Sequence, residues 1–331
     1  MRFSIIGGGA WGTTLGQVLI DNGHEVLIYD ILEDHVNKIN KHLHPFFDTT
    51  LPEKLLATTN FDEVLAFSNI YMLSVPTKVI RQVLTEINKK LTQKSIFINV
   101  SKGIEPGTSK RVSEIVSEVI DPKYNDGFVV LTGPSHAEEV ILRKLTLLVT
   151  ASNKEHLAKE MQQVFSNDQY LRVYTSNDLI GCEVGGAVKN AIAVISGACA
   201  GLGLGENARA AVITRGIVEI VRVVEVMGGN KETAFGLTGV GDLIVTASSE
   251  NSRNFTAGKK LGQGFSLEQI YKEQKQTIEG IRTIEAMHDL ALSHKIELPM
   301  IQIAYEIINH GISMDEAITR LLSRELKAED F

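Results

Sequence analysis

The chain has 331 residues, of which 44% are hydrophobic and 22% are charged, and it contains only 7 prolines. At roughly 100 to 200 residues per domain, this length favours two domains, and the composition excludes a small stapled scaffold and a disordered chain. The 33 basic and 40 acidic residues give a net charge of −7, which argues against general nucleic-acid binding. Two cysteines occur, Cys182 and Cys199, and we expect buried thiols in a reducing compartment.

The chain begins Met1-Arg2-Phe3-Ser4-Ile5-Ile6 and passes directly into glycines, without the apolar core and cleavage site of a secretory leader. We therefore expect a cytoplasmic protein. The stretch from Gly185 to Gly205 is apolar enough to be mistaken for a membrane span. Because Lys189 would be costly within a bilayer and the many glycines suit close packing, we predict a buried helix and no membrane insertion.

In the first half, short β-branched or apolar runs alternate with helix-like segments, which is the pattern of a parallel sheet wound with helices. The predicted strands are Arg2 to Ile6, Glu25 to Tyr29, Ile70 to Val75, Ile96 to Val100, Phe128 to Leu131, Thr146 to Thr150 and Leu171 to Tyr174. The predicted helices between them are Gly12 to Asn22, Thr77 to Leu91, Ser109 to Ile120 and Lys154 to Phe165.

After about Asn177 the strand signals end, and the periodicity predicts helices alone. These are Ala187 to Ala200, Asn207 to Met227, Glu232 to Phe235, Ser266 to Tyr271, Gly280 to Ser293, Met300 to Asn309 and Met314 to Leu322. The fold class is therefore α/β, with a doubly wound (Rossmann-type) sheet domain followed by an all-helical domain. The change of pattern places the dinucleotide-binding domain at residues 1–184 and the helical substrate domain at residues 185–331.

The first strand runs into Gly7-Gly8-Gly9-Ala10-Trp11-Gly12, which fits G-x-G-x-x-G and opens a helix. Gly7 allows the tight turn, Gly9 lets the backbone approach a pyrophosphate, and Gly12 lets helix and strand pack closely. Asp30 ends the second strand, where a carboxylate accepts hydrogen bonds from the adenosine ribose and repels a 2′-phosphate, which favours NAD. Alternatively, Asp30 starts a turn or caps the next helix.

Two further segments follow predicted strands at the edge where such sheets bind ligands. Lys102 lies just after the strand that ends at Val100, and it is either a binding lysine or a solvated loop residue. Gly133-Pro134-Ser135 follows the next strand, and Ser135 could cap a helix whose N-terminus receives an anion. Capping alone explains this serine equally well.

Lys189 is the one lysine in an otherwise apolar, small-residue helix with no acid nearby in sequence. Burying an ammonium group without a partner is expensive, so such a lysine has a depressed pKa or faces a polar ligand. Both outcomes suit general acid/base work on an alcohol or ketone, whereas snorkelling to the surface is the alternative.

Asp242 follows a glycine turn and could balance a nearby lysine or simply belong to the turn. The tripeptide Ser252-Arg253-Asn254 brackets an arginine with hydrogen-bonding residues, which suits a phosphate. Glu279 precedes Gly280 and either faces a cofactor or caps a helix. His42 and His44 have no further ligand cluster, so we expect surface histidines and no metal.

Seven segments together resemble the bacterial NAD(P)-dependent glycerol-3-phosphate dehydrogenase family over essentially the whole chain. They are Gly7 to Gly12, Val75-Pro76-Thr77, Ser101-Lys102-Gly103, Gly133-Pro134-Ser135, Gly185-Gly186-Ala187-Val188-Lys189-Asn190, Gly239 to Asp242 and Ser252-Arg253-Asn254. The resemblance implies an oxidoreductase that interconverts sn-glycerol 3-phosphate and dihydroxyacetone phosphate and supplies glycerol 3-phosphate for phospholipid synthesis.

At matching positions, the resemblance also implies residue roles. The catalytic group comprises Lys189 as proton donor and acceptor, with Lys102, Asn190, Asp242 and Thr246. The substrate-binding group comprises Lys102, Gly133, Ser135, Asp242, Ser252, Arg253 and Asn254. The cofactor-binding group comprises Gly7, Gly9, Ala10, Trp11, Gly12, Asp30, Lys102, Ala137, Arg253 and Glu279.

The chain departs from the family pattern at two places. The glycine loop of the family usually has serine where this chain has Ala10, and its second strand often ends in basic residues or histidine where this chain has Asp30-Ile31. We therefore expect NAD or NADP as cofactor, with Asp30 favouring NAD.

Two other functions fit the same pattern. One is another two-domain dehydrogenase acting on a 3-hydroxy acid or a sugar-acid phosphate, and the other is a regulator that senses NAD(H) without catalysis. For both dehydrogenase functions we expect a small-molecule substrate as the partner and no nucleic acid. The helical domain could also form the interface of a homodimer.

Overall fold

The computed structural model describes residues 1–273, 278–326 and 328–329. The chain forms two compact units. The first unit combines Met1–Glu105 with Lys110–Glu183, and the second combines Pro106–Ser109 with the chain from Val184 onward.

The first unit is built on a sheet that has eight strands among the described residues. In chain order they are β1 Arg2–Ile6, β2 Glu25–Tyr29, β3 Leu56–Thr58, β4 Ile70–Leu73, β5 Ser95–Asn99, β6 Asn125–Thr132, β7 Thr146–Ala151 and β8 Leu171–Ser176. Their order across the sheet is β3-β2-β1-β4-β5-β6-β7-β8. The neighbouring side chains Ile5 and Ile6 point to opposite faces of the sheet and both are fully buried, as expected for a sheet covered on both faces.

Helices of the first unit follow the strands along the chain. They are α1 Ala10–Asp21, α2 Glu33–Asn40, α3 Phe61–Phe67, α4 Thr77–Lys90, α5 Val112–Val119, α6 Ala137–Val140 and α7 Glu155–Phe165. Leu15, Val18 and Leu19 of α1 share one core cluster with Phe3 and Ile5 of β1. The predicted doubly wound sheet is thereby confirmed, and all seven predicted strands are present within a few residues of their expected ends.

The sheet is not parallel throughout, which corrects the sequence-based expectation. β6 and β7 pair antiparallel, whereas every other neighbouring pair is parallel. A parallel return needs a crossover, usually a helix long enough to run back along the sheet. The link from β6 to β7 contains only the four-residue α6, which is too short for that return.

Four elements of the first unit are not among the predicted strands and helices, namely β3, α2, α3 and the four-residue α6. β3 has only three residues, so it shows no clear alternation. In α2 only Val36 and Ile39 are buried, and in α3 only Val64, so neither segment carries a long apolar stripe.

The described part of the second unit is entirely helical, as predicted. Its elements are α8 Leu179–Gly201, which starts in the first unit, α9 Gly205–Val226, α10 Lys231–Ala234, a π-helical turn Leu237–Gly241, α11 Asp242–Ala247, α12 Arg253–Gly262, α13 Leu267–Glu273, α14 Glu279–His294, α15 Pro299–His310 and α16 Met314–Leu322. The π-helical turn, α11 and α12 were not predicted, because their glycines and polar residues obscure the helical period.

Among the described helices, α8 is the one that is long and apolar enough to cross a membrane. It has 23 residues, and 89% of its most apolar stretch is buried inside the protein. The expectation of a buried helix is therefore right. Its two cysteines are free thiols, Cys182 buried as expected but Cys199 only half-buried. Burial still raises the pKa of the Cys199 thiol.

Helices α8 and α12 touch backbone to backbone through glycines. A Cβ atom on Gly258 of α12 would lie 1.9 Å from the carbonyl oxygen of Val194, and one on Gly197 of α8 would lie 2.0 Å from that of Phe255. Gly201 and Gly262 make similar close contacts one turn further along. Only glycine permits this approach, so the contact fixes the position of α12 against α8.

Candidate active site

In the glycine loop between β1 and α1, two glycines have no space for a Cβ atom and the third has free space around it. Gly7 has φ +114°, and a Cβ there would lie 2.4 Å from the Ser74 carbonyl oxygen. A Cβ on Gly12 would lie 2.1 Å from the carbonyl oxygen of Gly7, whereas nothing lies within 4 Å of a Cβ on Gly9. The loop therefore leaves space above Gly9 and presents the N-terminus of α1, which fits a pyrophosphate group.

Ala10 and Trp11 begin α1 directly after this loop. The carbonyl oxygen of Ala10 accepts a hydrogen bond from the Thr14 hydroxyl at 2.7 Å. Trp11 is partly buried against the core cluster, and its indole N–H has no partner among the described residues. A donor left in this state beside the glycine loop is consistent with a ligand group at the loop.

His44 lies against the same turn and is not a surface histidine as predicted. It is 4% exposed, and its Nδ1 accepts hydrogen bonds from the backbone N–H groups of Phe46 and Phe47. Its Nε2 therefore carries the proton and donates to the Ala10 carbonyl oxygen at 3.3 Å. Burial lowers the pKa of His44 to about 4, so the ring stays neutral.

Asp30, at the end of β2, is 9% exposed and makes two backbone contacts. Its Oδ2 accepts from the N–H of Gly8 at 2.8 Å, and its Oδ1 accepts from the N–H of Leu32 at 2.8 Å. The Nδ1 atom of His35 lies 3.4 Å from Oδ2. Asp30 thus both starts a turn and holds the glycine loop, while each carboxylate oxygen keeps a further lone pair for a donor.

Lys102 meets the segment that follows β6. Its Nζ donates to the Gly133 carbonyl oxygen at 2.9 Å and lies 3.4 Å from the Ser135 hydroxyl. The Ser135 hydroxyl donates to the same carbonyl oxygen at 3.0 Å. Ala137 begins α6 two residues later and is buried. Lys102, Gly133 and Ser135 are therefore brought together at the carboxyl edge of β5 and β6.

Lys189 is paired with an acid, which the local sequence does not reveal. Its Nζ lies 2.6 Å from Asp242 Oδ1 and 2.5 Å from the Thr246 hydroxyl. The Lys189 and Asp242 side chains are 5% and 1% exposed. The Thr246 hydroxyl donates to the Asp242 carbonyl oxygen at 2.6 Å, so its oxygen accepts from Lys189. Of the two interpretations of Asp242, the one in which it balances a nearby lysine is therefore confirmed, because its carboxylate lies against the Lys189 ammonium group.

The local fold brings Asp242 and Thr246 to one face of α11, since they are one helical turn apart. The preceding π-helical turn depends on Gly239, where a Cβ would lie 1.9 Å from the carbonyl oxygen of Ala234. Such turns are frequent at functional sites. This close approach sets where α11 begins and hence where its first carboxylate lies.

Asn190, next to Lys189, joins the tripeptide predicted to bind phosphate. Asn254 Nδ2 donates to Asn190 Oδ1 at 2.9 Å, and Asn254 Oδ1 accepts from the backbone N–H of Gly280 at 2.9 Å. The Ser252 hydroxyl caps α12 by accepting from the N–H of Phe255.

The two remaining predicted residues stand at helix starts. Arg253 is the first residue of α12 and is exposed, and Glu279 is the first residue of α14 and is half-buried. Ile278, and not Glu279, occupies the N-cap position of α14, so the structure does not bear out Glu279 as the N-cap residue.

Sequence reasoning missed the burial of His44 in the first unit and the close backbone contacts of Gly258 and Gly280 in the second unit. A Cβ on Gly280 would lie 2.4 Å from the Asn190 carbonyl oxygen, so α14 also approaches α8 through a glycine. The spacing of glycines in Gly197, Gly201, Gly258 and Gly262 was the available signal. No cluster of three or more potential metal ligands occurs among the described residues.

Comparison with known proteins places the whole chain in one family. The model described as NAD-dependent glycerol-3-phosphate dehydrogenase N-terminus matches residues 2–158, and the C-terminus model matches residues 178–319. A relative from Acholeplasma laidlawii named glycerol-3-phosphate dehydrogenase (NAD(P)+) is 61% identical over 329 residues, covering 99% of each chain.

A solved structure extends the likeness to the fold. The crystal structure of glycerol-3-phosphate dehydrogenase from Coxiella burnetii is 32% identical, with a TM-score of 0.92 over 98% of this chain and 99% of that one. The resemblance stated from the motifs is thereby confirmed. The chain belongs to the NAD-dependent glycerol-3-phosphate dehydrogenase family.

Proposed function

We propose that this protein interconverts sn-glycerol 3-phosphate and dihydroxyacetone phosphate with NAD(H) or NADP(H). The observation that carries the proposal is the buried cluster of Lys189, Asp242 and Thr246 in a member of this family. A buried ammonium group held by a carboxylate can donate a proton to a substrate. Membership of this family indicates the class of substrate.

Lys189 acts on the oxygen at C2 of the substrate. Hydride exchange with C2 is the chemistry that a bound nicotinamide supplies. During reduction of the ketone, Lys189 Nζ gives a proton to the oxygen that becomes the alcohol, and during oxidation it takes that proton back. Asp242 and Thr246 hold Nζ in place, and Asp242 balances its charge.

Two further residues polarise the same oxygen as negative charge develops on it, namely Lys102 and Asn190. Lys102 is held by Gly133 and Ser135, which also contribute to the substrate site. Arg253 and the N-terminus of α12, capped by Ser252, bind the phosphate group and thereby orient C2. Asn254 belongs to this substrate-binding segment.

The cofactor binds along the carboxyl edge of the sheet in the first unit. The free space around Gly9, between the tightly packed Gly7 and Gly12, supports the binding of a pyrophosphate group at this loop. Asp30 accepts from the ribose hydroxyls. The other proposed contacts are those of Ala10, Trp11, Lys102, Ala137, Arg253 and Glu279.

In this proposal the first unit is the dinucleotide-binding domain and the second unit carries the catalytic lysine. The protein works in the cytoplasm without membrane insertion, as a homodimer, and supplies glycerol 3-phosphate for phospholipid synthesis. The burial of α8 supports the absence of a membrane span.

The test is nicotinamide absorbance during reduction of dihydroxyacetone phosphate, run in parallel with NADH and NADPH. Loss of absorbance with either cofactor is the expected result. A higher kcat/KM with NADH supports Asp30 as a ribose ligand, and a higher value with NADPH contradicts that role. A folded protein that oxidises neither cofactor contradicts the proposed reaction.

A further inference from the structure

The loop that carries Lys102 is anchored on both sides of that residue. Before it, the Ser101 hydroxyl donates to the Val75 carbonyl oxygen at 2.7 Å. After it, the Glu105 carboxylate accepts from Nε and Nη2 of Arg81 at 2.8 and 2.7 Å. Val75 follows β4 and Arg81 lies on α4, so both anchors come from the same stretch of chain at the end of β4.

The pair of Arg81 and Glu105 fixes a direction as well as a distance. Two parallel hydrogen bonds between a guanidinium group and a carboxylate hold both planar groups in one relative orientation. The Glu105 side chain is 9% exposed and that of Arg81 is 36% exposed, so water competes little for the carboxylate. Nη2 of Arg81 also donates to Glu118 of α5 at 2.9 Å, which further restricts the guanidinium group.

Glu105 is also the point at which the chain leaves the first unit. Its backbone N–H donates to the Lys110 carbonyl oxygen at 2.9 Å, which closes the short turn between the two residues. The intervening segment Pro106–Ser109 belongs to the second unit, whereas Glu105 and Lys110 belong to the first. The Arg81–Glu105 pair therefore fixes the chain between Lys102 and that segment.

The ammonium group of Lys102 depends on such an anchor. Lysine carries its charge on a flexible four-carbon stem, so a defined position for Nζ requires a defined position for the backbone. Here Nζ lies 2.9 Å from the Gly133 carbonyl oxygen and 3.4 Å from the Ser135 hydroxyl. A loop that moved by about 1 Å would take Nζ away from these atoms and from a substrate bound beside them.

We propose that Arg81 and Glu105 are positioning residues, which hold the Lys102 loop so that the Lys102 ammonium group lies against the reacting oxygen of the substrate. This inference rests on the function proposed for Lys102. The two residues act through Lys102 and touch neither substrate nor cofactor. The effect of breaking their pair must therefore disappear when Lys102 itself is removed.

The test measures kcat for reduction of dihydroxyacetone phosphate in the original enzyme, Arg81→Gln, Lys102→Met and the double variant. We expect Arg81→Gln alone to lower kcat by about 10- to 100-fold, the scale of a catalytic group displaced by about 1 Å. In the Lys102→Met enzyme, Arg81→Gln should lower kcat further by less than about 2-fold, because the displaced side chain is already absent. Equal losses with and without Lys102, or a normal kcat in Arg81→Gln, overturn the proposal.

Two further variants separate positioning from general stability. Arg143→Gln is the matched control, because Nε and Nη2 of Arg143 donate to Asp21 at 2.9 Å each and its side chain is 43% exposed. That pair joins α1 to the turn after α6, so its loss should leave kcat unchanged. Arg81→Lys keeps the charge and one hydrogen bond, and it should recover part of kcat. A kcat no higher than that of Arg81→Gln contradicts the proposal.

Backbone hydrogen exchange tests the anchor without turnover. The N–H groups of Val100 and Glu105 donate within the protein, and we expect them to exchange about 10-fold faster or more in Arg81→Gln, with no change in Arg143→Gln. Thermal unfolding checks that all variants are folded. Unchanged exchange in Arg81→Gln overturns the proposal whatever the kinetics. If the original enzyme does not turn over, the proposed function fails, and exchange alone decides whether the pair holds the loop.

Discussion

The proposed chemistry of Lys189 depends on a residue 53 positions away in the chain. In isolation, a lysine in an apolar helix favours a lowered pKa, because burial disfavours the charged form. The Asp242 carboxylate and the Thr246 hydroxyl oppose that effect, and both accept from Nζ. The resulting group is an ammonium held at a fixed position, which suits it to give a proton to a forming alkoxide.

Replacing Lys189 with alanine should lower kcat by about 10²- to 10⁴-fold, the usual contribution of one general acid/base. NADH binding, followed by quenching of Trp11 fluorescence, should be retained because the glycine loop is unchanged. Exposed Lys231→Ala is the matched control and should keep its kcat. Near-normal kcat in Lys189→Ala contradicts the role.

The same variant leaves the buried Asp242 carboxylate without its partner, which costs about 3–5 kcal/mol in comparable pairs. The double variant Lys189→Ala with Asp242→Asn should recover part of that stability while remaining inactive. Chemical denaturation of the two variants measures the difference.

His44 should make the protein less stable in acid. Its folded pKa of about 4 is below the unfolded value of 6.5, so the unfolded chain binds more protons between these values. The contribution of His44 is complete above pH 6.5 and is lost as the pH falls towards 4, by up to about 3 kcal/mol. We expect His44→Phe to be less stable overall but to have a shallower pH dependence of the unfolding free energy.

Denaturant unfolding at several pH values between 4 and 7 measures this slope for both proteins. His42→Phe is the matched control, since His42 shares the loop. Equal slopes for the original protein and His44→Phe would show that the ring titrates alike in the folded and unfolded states.

At the scale of elements, α8 and α12 carry the two halves of the proposed substrate site. Their contact uses backbone atoms and not interlocking side chains, so the distance between the helices is set by four glycines. This arrangement holds Asn190 beside Asn254 and leaves no flexible side chain to absorb an added atom.

Gly258→Ala should therefore lower both stability and activity. The added Cβ would lie 1.9 Å from the Val194 carbonyl oxygen, so the helices must move apart. We expect a destabilisation of about 3 kcal/mol or more, at or above the upper end for overpacking, with a reduced kcat. Thermal unfolding and steady-state kinetics measure the two effects.

Gly236→Ala is the control for this substitution, because its nearest neighbour would be an ordinary contact at 3.4 Å. If Gly258→Ala is as stable and as active as Gly236→Ala, the helices have another way to accommodate the methyl group, and the glycine contact does not set their spacing.

At the scale of the whole molecule, a single tryptophan lies beside the proposed cofactor site. Trp11 is the one tryptophan in the sequence, and it lies at the start of α1 beside the glycine loop. Its fluorescence should therefore report unfolding of the first unit and, at the proposed cofactor site, cofactor binding without any added label.

NADH at about 100 times its Kd should stabilise the folded state of the unit that binds it by about 2.7 kcal/mol. The unfolding midpoint followed through Trp11 should accordingly rise, and the rise should grow with cofactor concentration. Adenosine alone serves as a weaker-binding control, since it lacks the pyrophosphate. No shift at saturating NADH contradicts cofactor binding at the glycine loop.

Several features of this protein are determined by the sequence itself. The glycine loop, the alternation of strands and helices, the all-helical second half and the family motifs are all encoded by residues close together in the chain. Local backbone conformation and periodic burial depend on such neighbours, which is why the seven strands and the buried α8 could be predicted.

Other features are decided by the tertiary structure, because they depend on residues distant in sequence. The Asp242 partner of Lys189 and the burial of His44 against Ala10 have no local signal. The same holds for the Asn254 amide, whose orientation depends on the backbone of Gly280. Long-range packing selects among contacts that the local sequence permits equally, and the proposed chemistry at Lys189 and Asn190 depends on that selection.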